Sequence, residues 1–439
     1  MGHRIWQWVG LTLIAVIMTF VAGCSSSSDC AIEQEIAGIS PGPPSTGPAQ
    51  PRVGEGQYLP EGEALAVRSL RKRPQEDVLR VAVKLFTQAQ DPERRARALG
   101  ALSLLGQREG SAPLQNQKMA MLHQGLSDRA AVVRAAAIGG LAEIAPGSEA
   151  DRDILRKALM KETDEDTLFV GYRTLVLWKD WDTLADAICS DRPSKEEEGA
   201  LSMWLGRASA ALQVCARAKT PVPNRIEARV PRLIEAEPHL LDSCLGFLWA
   251  RGAKPMLPEV LNVYGRLPVG RAKALLGATI LSLDREAAPV REEMPQLQES
   301  LVRRYTTSQD KKAALEDIRG FHWWLTRRPE SKADRMRLEA QLWKGYSELP
   351  PDAKGQCLFW SLWSLGVPGT EPGEFLSQVP DDELLRMMKR CDPLRDYLIL
   401  LFRPKSDADR IVLGRPSKPT KQDERIIALL DRATAGGSP

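Results

Sequence analysis

Two stretches of this chain repeat each other at a fixed distance, and that repeat restricts the fold more than any other feature. Asp91-Pro-Glu-Arg-Arg-Ala-Arg97-Ala-Leu-Gly-Ala-Leu-Ser-Leu104 is followed by Asp128-Arg-Ala-Ala-Val-Val133-Arg134-Ala-Ala-Ala-Ile-Gly-Gly-Leu141, with Asp91/Asp128, Arg97/Arg134 and Leu104/Leu141 each 37 residues apart. A degenerate third copy starts at Asp164, offset by 36, and runs through Phe169 to Leu177, with Val170 in the register position of Arg134. Amphipathic segments lie between the copies, carrying Met119, Leu122 and Leu126, then Ile154, Leu155 and Leu159. A unit this short cannot bury its apolar stripe alone, so successive units must stack. The residue types fit: Asp91 and Asp128 suit helix N-caps, and Val133, Ile138 and Leu141 suit a core. Ala and Gly at 135, 136, 137, 139 and 140 allow close helix approach, and Arg97 and Arg134 can reach a neighbouring helix end or the next Asp.

The rest of the chain also has helical spacing. Val78, Val81, Leu85 and Phe86 make one stripe, and no alternating apolar–polar run is bounded by hairpin turns. Beyond Asp182 the repeat fades, but helices are expected over 195–218, 224–236, 239–251, 257–265, 270–283, 295–307, 310–327, 332–347, 351–365, 381–389 and 394–402. Pro and Gly punctuate them, as at Pro255, Pro268 and Pro289. Residues 403–439 read as a basic, Pro/Gly-containing, solvated tail with one short helix, Asp423 to Arg432.

The Asp-then-Val-Arg-Ala-Ala-Ala pattern resembles HEAT repeats. The resemblance implies an all-α, HEAT-like α-solenoid of stacked helix pairs over 63–190, with 191–402 either diverged repeats or a second all-α domain. It implies a surface that binds protein partners, with Arg97, Arg134 and Arg173 as the place to look.

The N-terminus supplies an address. Arg4 is followed by an apolar stretch from Val9 to Phe20, then by Val21-Ala22-Gly23-Cys24, the order of a secretory signal. Val21, Ala22, Gly23 and Cys24 resemble the lipobox of bacterial lipoproteins. The resemblance implies that 1–23 is a cleaved signal peptide and that Cys24 carries lipid. The expected location is the membrane of an exported compartment, on the periplasmic face of the outer membrane in a Gram-negative cell. Serines at 25–28 and the Pro/Gly-rich run from Pro41 to Gly56 suggest a tether over 24–62, spanning about 35 Å.

Chemistry-bearing constellations are sparse. Lys and Arg number 60 against 57 Asp and Glu, a balance that calls for no nucleic acid. His123, His239 and His322 have no ligand spacing, and no paired Cys-x-x-Cys exists, so no metal or cofactor is expected. No phosphate loop or nucleophile elbow is present, and no catalytic residue is assigned. Cys30, Cys189, Cys215, Cys244, Cys357 and Cys391 are either disulfide partners or small buried hydrophobes. Trp323, Trp324 and Trp343 are candidates for an aromatic groove that holds glycan or peptide; the alternative is that they fill the core. The expectation is therefore a tethered scaffold rather than an enzyme. The enzyme alternative rests on a pocket at His322, Trp323 and Trp324.

Overall fold

The computed structural model describes residues 27–39, 61–106, 112–144, 148–194, 198–252, 254–326, 332–365, 375–404 and 419–435. Among them are helices and turns and no strand. The chain divides into two compact units, Met1–Val230 and Pro231–Pro439. The division does not fall at 190/191, where the repeats were expected to fade.

In unit 1 the helices are α1 (Ser27–Ala37), α2 (Glu61–Leu70), α3 (Gln75–Gln88), α4 (Pro92–Gly106), α5 (Ala112–Gly125), α6 (Ala131–Ile144), α7 (Glu149–Leu159), α8 (Glu165–Leu177), α9 (Trp181–Cys189) and α10 (Glu198–Arg217). Helix α11 (Asn224–Ala236) carries the division. Each of α4, α6, α8 and α10 packs chiefly on the next of that set, while α5, α7 and α9 form a second row against them. This is the stack of helix pairs that the 37-residue repeat anticipates, and it runs past residue 190 through α10. Val133, Ile138 and Leu141 are buried, as are Val78, Val81, Leu85 and Phe86. The two rows touch closely where glycine faces leucine: a Cβ on Gly140 would lie 2.6 Å from Leu122, and one on Gly171 2.3 Å from Leu159.

Two arginines, the buried Arg95 and the half-buried Arg134, fasten one repeat to the next. Arg95 Nε and Nη2 donate to Asp128 at 2.9 and 3.0 Å, and its Nη1 donates to the carbonyls of Ala89 and Gln90. Arg134 repeats the geometry, with two 2.7 Å bonds to Glu162 and bonds to the carbonyls of Asp128 and Arg129. The structural partner of Arg134 is therefore Arg95, not Arg97. Each is the fourth residue of its helix, where the guanidinium reaches back to the turn that starts it. Asp91 accepts the N–H of Glu93 in the first turn of α4, the capping role its sequence position suggested, whereas Asp128 accepts the N–H of Ala130 in the turn before α6 and is not its cap. In the degenerate copy the fourth residue of α8 is the buried Leu168, and Arg156 of α7 instead reaches Asp180, the N-cap of α9.

Burial raises the Glu162 carboxyl. Hydrogen bonds from Arg134 and from the N–H groups of Asp164 and Thr163 outweigh that effect and hold it below the usual range. Burial likewise raises Asp128, and Arg95 and the Ala130 N–H bring it down. A folded-state value depressed in this way contributes stability that is complete above the unfolded carboxylate range, near pH ~4. That stability is lost as pH falls through the lower folded values. The melting temperature of unit 1, followed by circular dichroism, should fall as pH drops below about 4. Glu162→Gln, weaker at pH 7, should show a shallower fall.

Two expectations from the sequence are corrected. Residues 27–39, assigned to the tether, form α1 and its closing turn. Ile32 and Ile36 are buried, and Asp29, Glu33 and Glu35 pair with Arg80, Lys84 and Arg73. The acid–apolar alternation of this segment is the docking face of a helix, not a spacer. At the chain end the short helix expected at Asp423 to Arg432 is present, but it is packed instead of solvated. Helix α21 (Lys421–Thr434) buries Ile426, Leu429 and Leu430. Its Arg425 donates to Asp381 and to the carbonyls of Leu376 and Val379. The basic residues Lys405, Arg410, Arg415 and Lys418 lie outside the described residues, as do Val21 to Cys24 and residues 40–60.

Unit 2 continues with α12 (Leu241–Arg251), α13 (Leu257–Arg266), α14 (Arg271–Leu283), α15 (Ala288–Thr307), α16 (Lys311–Thr326), α17 (Lys332–Gly345), α18 (Pro351–Leu365), α19 (Asp381–Arg390) and α20 (Asp392–Phe402), then α21. The alternation recurs: α12, α14, α16 and α18 form one row, and α13, α15 and α17 pack against it. The C-terminal half is thus built from the same kind of helix pairs. Pro289, read as a break, sits in the first turn of α15, where its missing N–H costs nothing.

Candidate functional site

Helix α16 places Arg319, His322, Trp323 and Thr326 at i, i+3, i+4 and i+7, which puts them on one face. Helix α18 places Phe359, Trp360 and Trp363 at i, i+1 and i+4. With Trp249 from α12, these eight residues line an open cleft of about 740 Å³ within unit 2. Trp323 is 43% exposed and Trp363 65%. Trp249 and Trp323 lie 6.5 Å apart with planes tilted 46°, and Phe359 lies 6.0 Å from Trp363. The Arg319 guanidinium lies 5.9 Å from the centre of the Trp360 ring, a cation held over an aromatic face.

Two buried polar residues, His322 and Thr326, are part of the lining. His322 is 1% exposed, and its Nε2 lies 2.5 Å from Oε2 of Glu339, whose side chain is fully buried. The imidazole also stacks on Tyr346 at 6.2 Å. Neither ring nitrogen of His322 makes a hydrogen bond within the described residues, nor does the buried hydroxyl of Ser361. The Thr326 hydroxyl donates to the His322 carbonyl at 3.0 Å. Apolar walls with a few buried polar groups among them are the usual make-up of a binding pocket. No hydroxyl or thiol among the described residues hydrogen-bonds His322, so a nucleophile–base pair is not assembled there. No cluster of three or more His, Cys, Asp or Glu suited to a metal occurs among the described residues.

The three tryptophans singled out from sequence are separated. Trp323 faces the cleft, whereas Trp324 and Trp343 are 7% and 8% exposed and belong to the core. One residue along a helix is a 100° turn, which carries Trp324 inward to meet Trp249 at 6.4 Å and Trp323 edge-on at 4.5 Å. Trp343 lies under the Lys354 ammonium at 4.8 Å. Arg319, Trp249 and Phe359 were missed. Their signal is the i, i+4 pairing of Arg319 with Trp323 and of Phe359 with Trp363, visible only if helices are projected onto faces. Trp178 and Trp181 belong to two helices: Trp178 caps α8, and Lys179 turns the chain with φ 60° before α9.

The three arginines expected to form a binding face differ in their surroundings. Arg134 is consumed by Glu162. Arg97 is half-buried and pairs with Glu93 at 3.2 Å on its own helix, and Arg173 is half-buried on α8. No disulfide joins the six described cysteines, and Cys215, Cys244, Cys357 and Cys391 are buried. Burial pushes the thiols of Cys244 and Cys357 up, which keeps them protonated and unreactive.

No family model and no curated protein sequence matches the chain. Among solved structures it is similar to the karyopherin Kap121p bound to the SUMO protease Ulp1p, with 11% identity over 94% of this chain and 50% of that chain and a TM-score of 0.38. A homology model of the full-length AP-3 complex matches at 11% identity over 86% of this chain and 81% of that chain, TM-score 0.25. UNC-45 from Drosophila melanogaster matches at 13% identity over 86% and 64%, TM-score 0.23. The chain thus spans half the length of the karyopherin it matches. Among the described residues no helix is long and apolar enough to cross a membrane.

Proposed function

We propose that this chain is an exported, lipid-anchored interaction protein that holds a protein partner at the cell envelope in the aromatic cleft of unit 2. Cys24 supplies the anchor and the helix pairs supply a rigid mount. The work is binding rather than catalysis. The observation that carries the reading is the exposure of Trp323 and Trp363 in a shared cleft whose lining includes the buried His322. Isolated exposed apolar side chains need no explanation, but a contiguous aromatic cleft marks an interaction site. The walls suit bulky apolar side chains, and Arg319 at the rim suits a neighbouring acidic residue. A saccharide would need partners for many hydroxyls. Besides indole N–H donors, the polar lining of the cleft is Arg319, His322 and Thr326; the Thr326 hydroxyl is already bonded to backbone and Arg319 pairs with Glu316 at 3.3 Å.

In-cell cross-linking and capture should compare the native chain, Cys24→Ala and the double variant Trp323→Ala/Trp363→Ala. A partner recovered in near-equal amount with the native chain is expected to fall at least about tenfold with either variant, since buried aromatic anchors dominate such interfaces. Equal recovery by all three would sink the reading. Loss on Cys24→Ala alone would keep the anchor and reject the cleft. Retention of a purified envelope glycan instead of a protein would move the assignment to saccharide binding.

A further inference from the structure

Helix α1 begins only three residues after Cys24. Three extended residues reach at most about 11 Å, and α1 is locked to the body by the Asp29–Arg80, Glu33–Lys84 and Glu35–Arg73 pairs and by buried Ile32 and Ile36. A chain anchored at Cys24 therefore holds its first repeats close to the bilayer, and the Pro/Gly run from 40 to 60, which lies between α1 and α2, gives it no added reach. The helix packed beside α1 carries a matching surface. On α2, Ala66, Val67 and Leu70 are buried, while Leu65 is 58% exposed and Arg68 is exposed one turn later. Lys72 follows at i+7 in the turn whose N–H bonds to the Ser69 carbonyl, and it is exposed too. An exposed leucine with two cations on one helical stripe is the composition of a segment that lies on acidic lipid.

We propose that the α1–α2 end of unit 1 rests on an anionic membrane surface, with Leu65, Arg68 and Lys72 against the headgroups, so that the body is moored at the bilayer instead of swinging from a tether. This rests on the reading of Cys24 as the lipidated residue. Each basic residue near such a surface raises occupancy about fivefold. With the acyl chains holding the protein in place, two basic residues are enough to orient it.

The test uses the full lipidated chain in phosphatidylcholine vesicles with or without about one-third phosphatidylglycerol. Lysine acylation by an amine-reactive ester is read residue by residue by mass spectrometry. Lys72 labelling is expected to drop about fivefold or more in the anionic vesicles relative to detergent. Lys179, exposed after α8, should be unchanged. Arg68→Glu should restore Lys72 labelling, and the exposed position of Arg68 leaves folding intact. Equal labelling of Lys72 in vesicles and detergent, on a chain whose N-terminal peptide carries the acyl mass, would overturn the proposal alone. A Cys24 peptide without that mass would overturn the anchor, and this proposal with it.

Discussion

Arg134→Ala is expected to remove about 3–5 kcal/mol from the stability of unit 1. The loss comes mostly from what the arginine leaves behind. The Glu162 side chain is 4% exposed, so without its guanidinium a carboxylate stays buried with only the N–H groups of Thr163 and Asp164. The carbonyls of Asp128 and Arg129 lose their donor as well. Arg134→Lys should recover little, because an ammonium cannot make the two parallel bonds that the planar fork makes. Arg134→Met combined with Glu162→Leu should recover most of the loss, since removing both charges removes the desolvation cost with the pairing. Hydrogen exchange is the right measurement, because it reads α6 and α8 separately from unit 2. Protection of those amides should fall about a hundredfold or more with Arg134→Ala, at ~1.4 kcal/mol per decade. A change of less than about threefold would mean the clamp is ornamental to the stack.

The second large effect separates two adjacent tryptophans. Trp324→Ala should cost unit 2 about 3–5 kcal/mol, the usual loss for truncating a buried indole. Trp323→Ala should cost about 1 kcal/mol or less and should act on binding instead. Trp324 is 7% exposed, whereas Trp323 is 43% exposed at the cleft wall. Denaturant unfolding of each variant, read by exchange of α16 amides, checks the difference. Similar losses from both would mean that the cleft closes over Trp323 in solution and is not a docking surface.

Much of the architecture was legible from residue spacing. The helices over 224–236 and 351–365 are placed as the pattern predicts, because apolar stripes at helical period end at Pro and Gly there. What was not legible has physical reasons. The segment 27–39 is short, and its acids become informative only when Arg73, in the turn after α2, and Arg80 and Lys84 of α3 are brought beside them. The 37-residue sequence offset hid the clamp, since helices α4 and α6 start 39 residues apart and the guanidinium is counted from the helix start. The cleft draws on three helices spread from Trp249 to Trp363, and chain order carries no signal of that convergence. His322 was noticed for its tryptophan neighbours; its true partner, Glu339, lies on the next helix.

The most direct measurement places a photo-reactive benzoylphenylalanine in cells at Trp363, at the mouth of the cleft, or at Leu400, which is 52% exposed outside the cleft lining. A discrete protein adduct is expected from position 363 and none from position 400, and the adduct should vanish when Trp323→Ala is added. Adducts of the same size from both positions, or an adduct at 363 that survives Trp323→Ala, would contradict a partner held in the aromatic cleft.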